Sequence, residues 1–423
     1  MAENPTAAGV LERCDIRPSA NTTSELTLPL LHFDITWLYF HPVQRLLFFD
    51  FPCSKAEFLE TVVPKLKESL HQTLNHFLPL AGNIVHPLNS DRPFSRFVDG
   101  DSVLLTIAES DKDFDYLTGN HPRVADEFYV CVPQLPPAKH TPDVVILPVL
   151  ALQITLFPDR GVCLGITNHH AIGDASSIVR FIKAWASVNR SSGDSKLIDE
   201  KLLPFYDRTS VEDPEGLDSI YWNLIKQSRA VESLPISFPL NKVRATFILT
   251  KDDVQKLKHF VLERRPEMRI TAFTVTCALV WVCLVKVDAA TETLAEDEPE
   301  YFGFAADCRG RLSPPLPAEI SGTKTVYNEK GILDGAENWP IEFGKLIGKR
   351  LFGVAGSPRF DLYDVDYGWG RPNKFESASI DGDTSMSLCK SRDFEGGLEI
   401  GLSRPKEKLD AFAAIFTKAL GNL

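Results

Sequence analysis

The sequence lacks the segments that would direct it into a membrane or along the secretory route. Its longest apolar run covers residues 271–285, which is shorter than the roughly twenty residues that a membrane-spanning helix needs. Residues 1–15 contain no basic stretch followed by an apolar core, so no secretory signal is expected. We therefore expect residues 271–285 to form a buried core helix and the protein to be cytoplasmic.

Basic residues are also in deficit. The chain has 45 Lys and Arg residues against 57 Asp and Glu residues, a formal net charge of −12. An acidic surface repels phosphate backbones and anionic lipid, so neither nucleic acid nor a membrane is expected as a partner. Hydrophobic residues make up 44% and charged residues 24% of the 423 positions. These proportions are those of an ordinary globular chain, and the length predicts two large domains.

The cysteines lack the paired spacing of a metal site. The chain has eight of them and no CxxC pair, so we expect reduced, mostly buried thiols, with no disulfide framework and no metal. The sequence also has no GxSxG elbow and no glycine-rich phosphate loop. A serine nucleophile on an elbow and a bound nucleotide phosphate are therefore not expected.

Hydrophobic periodicity predicts two halves separated by a long connector. Ser54 and Glu57 form a capping box before a helix that extends to Phe77, in which Pro64 should cause a bend. Alternation over 150–156 and 162–166 predicts a hairpin, followed by a helix with Ser176 as its N-cap. The predicted units are an N-terminal domain over 1–190, a polar crossover over 191–241 and a C-terminal domain over 242–423. The C-terminal domain should begin with a strand over 243–250 and a helix over 252–263, and end with an amphipathic helix.

The hairpin presents the first candidate for chemistry, His170, with Asp174 four positions later. One interpretation is structural: the backbone satisfies His170 at the end of the strand, and Asp174 begins the next helix. The functional interpretation makes His170 a general base, because its ordinary pKa lies near working pH. Gly173 would permit a tight turn between them. A base without a protein nucleophile indicates direct transfer of a group to an acceptor hydroxyl.

The second candidate is the segment Asp366-Tyr367-Gly368-Trp369-Gly370. Gly368 and Gly370 would let the backbone approach another segment closely, and the indole N–H of Trp369 is a single directed donor. The alternative is a buried turn that packs a large aromatic side chain, which is the commoner use of such a pair.

Together these two elements resemble the plant BAHD acyltransferases, which carry HxxxD in mid-chain and a DFGWG-like motif near the C-terminus. Several other segments are similar to family segments in the same order: LTLPL, LPLAGN, ITNHHAIGD, FTVTCALVW, DCRGRLSPPLP, VAGSPRFDLY and LEIGL. Within the family the chain looks most similar to malonyltransferases that acylate sugars on flavonoid, anthocyanin and other phenolic glucosides.

The resemblance implies an α/β fold of two similar-sized domains like chloramphenicol acetyltransferase, joined by a long crossover, with a solvent channel between them. Acyl-CoA would be the donor substrate, with no permanently bound cofactor, and the enzyme would be a monomer. His170 would deprotonate the acceptor hydroxyl, which attacks the thioester without an acyl-enzyme. Asp174 would be structural, and Asp366 would pair with Arg309 or Arg311. Trp369 would pack or donate to the oxyanion.

The residues that would bind the donor are less clearly marked. Some family malonyltransferases have an arginine four positions after the motif aspartate, where this chain has Ile178. Arg180 lies two positions further, and this rotates it by about 200° around the helix, so it cannot simply substitute. Arg180 and Lys258 are nevertheless the candidates for contacts with acyl-CoA, Lys258 for its phosphates.

The chain departs from the family between Pro317 and Val354, where a YFGNC element, a strand and a helix are missing. The cause is a true deletion, a wrongly spliced gene model or a segment absent from the record. A true deletion would leave unpaired strand backbone and an exposed apolar face in the C-terminal domain. Two alternatives to malonyl transfer therefore stay open: an enzyme that uses acetyl-CoA or hydroxycinnamoyl-CoA, and a relative that binds ligands without turnover.

Overall fold

In the described residues the fold consists of two six-stranded sheets, a five-stranded sheet, a two-stranded sheet and the helices packed on them. The computed structural model describes residues 8–19, 25–89, 91–191, 193–213, 215–226, 238–291, 299–312, 315–320, 325–326, 333, 335–382 and 385–423. Within these ranges the strands are β1 (Gly9–Ile16), β2 (Leu26–Pro29), β3 (Val43–Asp50), β4 (Asn83–Pro87), β5 (Phe94–Phe97), β6 (Val103–Glu109), β7 (Arg123–Val124), β8 (Lys139–His140), β9 (Val144–Pro148), β10 (Leu150–Phe157), β11 (Gly161–Asn168), β12 (Val243–Leu249), β13 (Glu300–Phe304), β14 (Ala306–Asp307), β15 (Thr325–Val326), β16 (Arg350–Ala355), β17 (Lys374–Ser377), β18 (Ser385–Lys390) and β19 (Leu398–Arg404). The α-helices are α1 (His32–Ile35), α2 (Lys55–Glu57), α3 (Val63–Leu74), α4 (Leu78–Ala81), α5 (Phe114–Thr118), α6 (Ala175–Arg190), α7 (Leu217–Ile225), α8 (Lys251–Arg264), α9 (Ala272–Thr291), α10 (Trp339–Gly344) and α11 (Lys406–Gly421).

The predicted hairpin is present, and it forms the centre of the first sheet. This sheet has the order β1-β6-β10-β11-β3-β17, and β10 pairs antiparallel with β11 from Leu150–Asn168 to Phe157–Gly161. Both strands are buried along their whole length. Because the hairpin is central and buried, the chain leaves β11 at a fixed position. His169 follows β11 directly, and His170 comes next.

The two halves of the chain exchange strands. The second sheet has the order β13-β16-β18-β19-β12-β7, in which β7 comes from the N-terminal half. In return β17, from the C-terminal half, pairs antiparallel with β3 at the edge of the first sheet. The predicted boundaries at 190 and 241 therefore describe where the chain crosses over, while each sheet contains a strand from the other side of that crossover. The boundaries themselves stay a prediction.

A buried ionic network lies where the strands are exchanged. Arg123 donates to Glu376 over 2.7 Å, and Arg244 lies 3.2 Å from the other oxygen of Glu376 and 3.0 Å from Asp381. All four side chains are almost inaccessible to solvent. Arg123 belongs to the N-terminal half and the other three residues to the C-terminal half, so the network connects β7 with β12 and the segment around β17. Removing one member would leave a buried charge without its partner, which is strongly destabilising.

Two predicted helices and the predicted crossover differ in detail from the observed structure. Ser54 caps α2 as predicted, but the helix then widens into a π-helical turn over Phe58–Val62 before α3, and it ends at Leu74. Pro64 accounts for the irregularity, because it lacks the N–H that a continuous α-helix would use at that turn. The crossover is not merely polar chain, since it contains α7. The apolar run 271–285 lies within α9, which extends further, to Thr291.

Helix α9 is less buried than a core helix should be. By length and composition it could cross a membrane, with a mean hydropathy of 1.8 over its most apolar window, but only 39% of that window is buried. Core helices of soluble proteins pass the same test, so this is weak evidence for a membrane. Its buried side, with Val280 and Cys283, packs into the second core, while Val282 is 49% exposed.

The exposed side of α9 continues onto β13, which lies at the edge of its sheet. Phe273 of α9 contacts Phe304 of β13 with ring centroids 5.6 Å apart, and Trp281 contacts Phe302 at 5.3 Å. Phe304 is 46% exposed. We call these four side chains the uncovered face. On its outer side β13 pairs with no other strand of the described residues, so it is an edge strand. That the shortened segment causes this edge stays a prediction.

We predict that Phe304→Lys reduces self-association of the protein without lowering its thermal midpoint. Nearly half of the surface of this side chain is exposed apolar area, and a lysine on an edge strand opposes pairing with another chain. Sedimentation velocity over a concentration series and binding of an apolar fluorescent dye measure the effect. Phe394→Lys is the matched control, because Phe394 is 45% exposed elsewhere on the surface. An equal effect of both substitutions would contradict a special role for the uncovered face.

Candidate active site

His170 lies immediately after the central hairpin, in a short 3₁₀ turn over His170–Ile172. The strand before the turn is anchored by Arg45, which donates to the side-chain oxygen of Asn168 over 2.9 Å. His169 is buried, and its Nδ1 accepts a hydrogen bond from the N–H of Ala171 over 3.2 Å. His169 thus has the structural role, whereas the side chain of His170 is half-buried, with part of its surface in contact with solvent.

The imidazole of His170 is held between aromatic rings. Trp37 stacks on it with ring centroids 4.1 Å apart and an interplanar angle of 11°. Phe40 meets it edge-on at 5.5 Å and 88°. Both residues follow α1, after the LTLPL segment that resembles the family, and neither was predicted to belong to the site. The periodicity of this segment carries no signal for a contact with His170, because the two are more than a hundred positions apart.

Burial lowers the pKa of His170 to about 3, and the nearby charge of Arg45 acts in the same direction. The same cause lowers the pKa of His169 to about 4. Burial lowers the pKa of Arg45 itself to about 10, although the carboxylate of Asp174 opposes this. In the ligand-free protein His170 is therefore a neutral imidazole near pH 7, with a lone pair that can accept a proton.

Asp174 is the N-cap of α6, and its oxygens are fully engaged. One oxygen accepts from the backbone N–H and the hydroxyl of Ser177, each over 3.0 Å. The other lies 2.8 Å from Arg309 of the C-terminal half. The prediction that Ser176 caps this helix is wrong, because Asp174 reaches the first-turn donors two positions earlier. The structural interpretation of Asp174 and the general-base interpretation of His170 are thus compatible.

Gly173 is needed for space and not for a special backbone conformation. Its φ of −177° is extended, so any residue could adopt it. A Cβ at this position would lie only 3.0 Å from the Cβ of Ser177. Glycine therefore allows the turn to pack directly on the first turn of α6, the same turn that Asp174 caps.

The predicted pairing of Asp366 with Arg309 or Arg311 is wrong. One oxygen of Asp366 accepts from the backbone N–H groups of Gly368 and Gly370, over 2.7 and 3.0 Å. Its other oxygen lies 3.6 Å from Arg190. The turn is near the end of α6, whereas Arg309 is taken by Asp174 at the beginning of that helix. Sequence separation could not distinguish these partners, because both arginines and both aspartates are far apart along the chain.

The two glycines of this turn are required by their backbone. Gly368 has φ = +95° and Gly370 has φ = +87°, values that side chains of L-residues rarely adopt. Together with the two hydrogen bonds to Asp366, these angles define a compact turn. The turn delivers the chain into β17, so its conformation determines how the exchanged strand reaches the first sheet.

Trp369 and Tyr367 pack against side chains of the N-terminal half. Trp369 stacks on Phe51 at 5.3 Å and 25°, and meets Phe49 edge-on at 5.4 Å. Tyr367 is buried against Trp185 at 5.1 Å. The DFGWG-like motif of the family has phenylalanine at this position. The additional hydroxyl of Tyr367 has no hydrogen-bond partner among the described residues. These contacts favour the packing role of Trp369, and its role as an oxyanion donor stays a prediction.

The two candidate donor-binding residues lie on separate helices. Arg180, half-buried on α6, donates to the backbone carbonyl of Lys201 and lies 3.8 Å from Glu319. It lines a small surface depression beside Ile172 of the motif turn. Lys258 is half-exposed in the middle of α8. No described contact connects either residue with His170, so their roles in acyl-CoA binding stay predictions.

One group of side chains has the composition of a metal site. His32, Asp213 and Asp218 place their ligand atoms within 4.8 Å of one another. However, Asp218 accepts from the backbone N–H and Nδ1 of His32 over 2.7 and 2.8 Å, and Asp213 accepts from two backbone N–H groups at the beginning of α7. Since these oxygens already have donors, the group functions as a junction between α1 and the crossover.

A family model described as the Transferase family matches residues 10–330 and 338–418 of the chain. Phenolic glucoside malonyltransferase 1 of Nicotiana tabacum is 44% identical over 454 positions, covering 98% of this chain and all of the relative. An anthocyanin 5-O-glucoside-6'''-O-malonyltransferase of Salvia splendens is 42% identical over 98% of this chain and 96% of the relative. An anthocyanidin 3-O-glucoside-6''-O-coumaroyltransferase of Arabidopsis thaliana is 32% identical, covering 97% of each chain.

The fold matches solved acyltransferase structures at low sequence identity. Vinorine synthase gives a TM-score of 0.68 at 19% identity, covering 95% of this chain and 96% of that structure. TRI101 of F. graminearum, solved with coenzyme A and deoxynivalenol, gives 0.64 at 13% identity and covers 93% and 98%. These matches show that the chain has the expected two-domain α/β architecture.

The comparisons also bear on the shortened segment. The alignment with the tobacco relative spans 454 positions against the 423 residues of this chain, so at least 31 of its positions have no counterpart here. The match to the family model is interrupted at 331–337. This gap lies inside the interval from Pro317 to Val354, where this chain lacks the YFGNC element of the family. Much of this interval, including 321–324, 327–332 and 334, lies outside the described residues.

We predict that Asp174→Asn destabilises the protein by roughly 3 kcal/mol, because it leaves the buried guanidinium of Arg309 without a full counter-charge. Asparagine can still cap α6, and Arg309 keeps Asp307 at 3.0 Å. Adding Arg309→Met should restore part of the loss, since no buried charge then remains. Urea unfolding of the two single variants and the double variant measures this. Strictly additive losses would show that the two side chains do not interact.

We predict that stability falls as pH falls below about 6.5, partly through His169. Its folded-state pKa of about 4 lies below that of the unfolded chain, so the unfolded state binds more protons in this interval. The stabilisation is complete above about pH 6.5 and lost as pH falls towards 4, at up to about 1.4 kcal/mol per pH unit. His169→Asn, which can still accept from Ala171, should lose less stability between about pH 7.5 and about pH 5 in urea unfolding. A variant with the wild-type pH dependence would contradict this.

Proposed function

Because the chain belongs to the plant BAHD acyltransferase family, we propose that it moves a malonyl group from malonyl-CoA to a sugar hydroxyl of a phenolic or flavonoid glucoside. The observation that carries the proposal is the position of His170, which is half-buried in the turn after a buried hairpin. Asp174, four positions later, is paired with Arg309 of the C-terminal half. Two relatives that cover nearly the whole chain at 42% and 44% identity are malonyltransferases on anthocyanin or phenolic glucosides.

In the proposed reaction a ring nitrogen of His170 accepts the proton of the acceptor hydroxyl. The alkoxide oxygen attacks the thioester carbonyl carbon and forms a tetrahedral oxyanion. The carbon–sulfur bond then breaks, the malonyl ester remains on the sugar, and the CoA thiolate takes the proton back from the imidazolium. The protein forms no covalent bond in this sequence, in agreement with the lack of a serine elbow.

The low pKa of His170 describes the ligand-free site. Acyl-CoA brings phosphate charges, and a malonyl group brings a carboxylate, so binding of the donor adds negative charge to the surroundings of the imidazole. Negative charge stabilises the imidazolium and raises the pKa of His170 towards the range in which a base is effective. Donor binding would thus prepare the base, whereas the neutral imidazole of the free protein does not attract a proton from water.

The other residues of the two motifs have supporting roles in this proposal. Asp174 holds the turn through α6 and Arg309, and Asp366, Gly368 and Gly370 hold the turn that leads into β17. Trp369 is a structural side chain first and an oxyanion donor second, because its rings are packed on Phe49 and Phe51. Arg180 and Lys258 are proposed contacts for acyl-CoA, supported only by their positive charge and partial exposure.

We also propose that the active unit is a single chain in the cytoplasm. Both halves of the chain contribute to the site, since Arg309 of the C-terminal half pairs with Asp174 of the N-terminal half. All eight cysteines are free thiols and seven of them are buried, which supports a reducing compartment.

Two alternatives keep specific support. A relative that is 32% identical uses a coumaroyl donor by name, which supports a donor other than malonyl-CoA. The at least 31 positions of the tobacco relative that have no counterpart here and the uncovered face support a protein that binds ligand without turnover. Competition between malonyl-CoA, acetyl-CoA and coumaroyl-CoA distinguishes the first alternative. Calorimetry that detects CoA binding in the absence of product formation would favour the second.

We predict that His170→Ala lowers turnover by a factor on the order of 10²–10⁴ while the protein stays folded, because it removes the general base. The assay incubates the chain with malonyl-CoA and a panel of flavonoid and simple phenolic glucosides, and follows thiol release and the acylated product. His71→Ala is the control, since it removes an imidazole from α3. Normal turnover in His170→Ala would exclude His170 from the mechanism. Detection of a stable acyl adduct by mass spectrometry would exclude direct transfer.

A further inference from the structure

Trp37 is the side chain in closest defined contact with the base. Its ring lies parallel to the imidazole of His170 at 4.1 Å, and Phe40 closes the perpendicular direction against both rings, at 5.1 Å from Trp37 and 5.5 Å from His170. A stacked ring on one side and an edge-on ring on another leave the imidazole little freedom to tilt. The plane of the imidazole sets the direction of its nitrogen lone pair, and thus the position from which a hydroxyl proton can be taken.

Trp37 is in turn held by α1. The backbone N–H of Trp37 donates to the carbonyl of Asp34 over 3.0 Å, and that of Phe40 donates to the carbonyl of Trp37 over 3.2 Å. The carboxylate of Asp34 accepts from the backbone N–H of Leu31 over 3.1 Å. The helix and the turn after it thus form one hydrogen-bonded unit that carries both aromatic rings.

This unit is attached to the crossover by one buried ion pair and by buried hydrogen bonds. Arg208 of the crossover donates to the carboxylate of Asp34, and both side chains are almost completely buried. Asp218 of α7 accepts from both the backbone and the ring of His32, and Arg92 lies 3.2 Å from its second oxygen. The crossover is therefore attached to the segment that carries Trp37 by the ion pair between Arg208 and Asp34 and by the hydrogen bonds between Asp218 and His32.

From this chain of contacts we propose that Trp37 is a positioning residue for His170, and that the crossover supports it by fixing α1. The proposal rests on the proposed function, because it assigns Trp37 a role in setting the geometry of the same base. It differs from a wall that merely binds the acceptor, since a positioning residue acts on the reaction step after both substrates are bound. The face of the indole also stabilises the imidazolium that forms when the proton is accepted.

The test compares Trp37→Phe with Trp37→Met. Phenylalanine keeps a flat ring against the imidazole, whereas methionine keeps apolar volume but has no ring. We expect Trp37→Met to lower kcat by roughly 10- to 100-fold with little change in the KM of either substrate. Trp37→Phe should recover most of the loss. Trp281→Met is the matched control, because Trp281 is a half-buried tryptophan packed against the core of the second sheet, and its replacement should leave kcat unchanged.

Two outcomes would overturn the proposal: an unchanged kcat in Trp37→Met, and a raised KM for the acceptor at unchanged kcat, which would make Trp37 a binding wall. If Trp37→Met does not fold, Phe40→Leu removes the edge-on contact, and a wild-type kcat in that variant would overturn the proposal instead. A wild-type chain without transferase activity would refute the proposed function rather than this one. The stack can then still be tested, because the ring protons of His170 should lie upfield in NMR spectra and move downfield in Trp37→Met.

Discussion

The ion pair between Asp174 and Arg309 is the contact on which the arrangement of the site depends. It joins the beginning of α6, directly after the motif turn, to a loop of the C-terminal half across 2.8 Å in a largely buried setting. Because the same carboxylate also caps α6, a displacement of Arg309 would disturb the helix and the turn together. The base is therefore positioned by both halves of the chain, although it belongs to only one of them.

The exchanged strands hold the two halves of the chain in the relative position that this ion pair requires. With β17 on the first sheet and β7 on the second, the halves share hydrogen-bonded sheets and the buried network of Arg123, Arg244, Glu376 and Asp381. A buried ionic network gives little net stability but penalises every misaligned arrangement, because a displaced member leaves a charge unpaired. The network thus determines the relative position of the two halves. The ion pair between Arg208 of the crossover and Asp34 of α1 is a second buried contact that holds this arrangement.

Local elements of the fold could be predicted from the sequence, whereas most of the partners in the site could not. The hairpin, α6, α8 and the capping role of Ser54 follow from periodicity and capping chemistry, which act within a few residues. The pairing of Asp366 with Arg190, the stacking of Trp37 on His170 and the exchange of β7 and β17 join residues far apart in sequence. Several arginines of similar character compete for each aspartate, and composition does not distinguish between them. The resemblance to the family identified His170 but did not identify the ring that holds it.

The sequence by itself determined the two motifs, the strand and helix that flank His170, the acidic surface and the interval in which a family element is missing. These properties depend on residue type and on neighbours along the chain. The tertiary structure alone decided which arginine neutralises Asp174, which rings enclose the imidazole and which apolar face the shortened segment leaves open. The physical reason is that ion pairing, stacking and burial depend on distances in space, and the chain brings these residues together only when both sheets have formed.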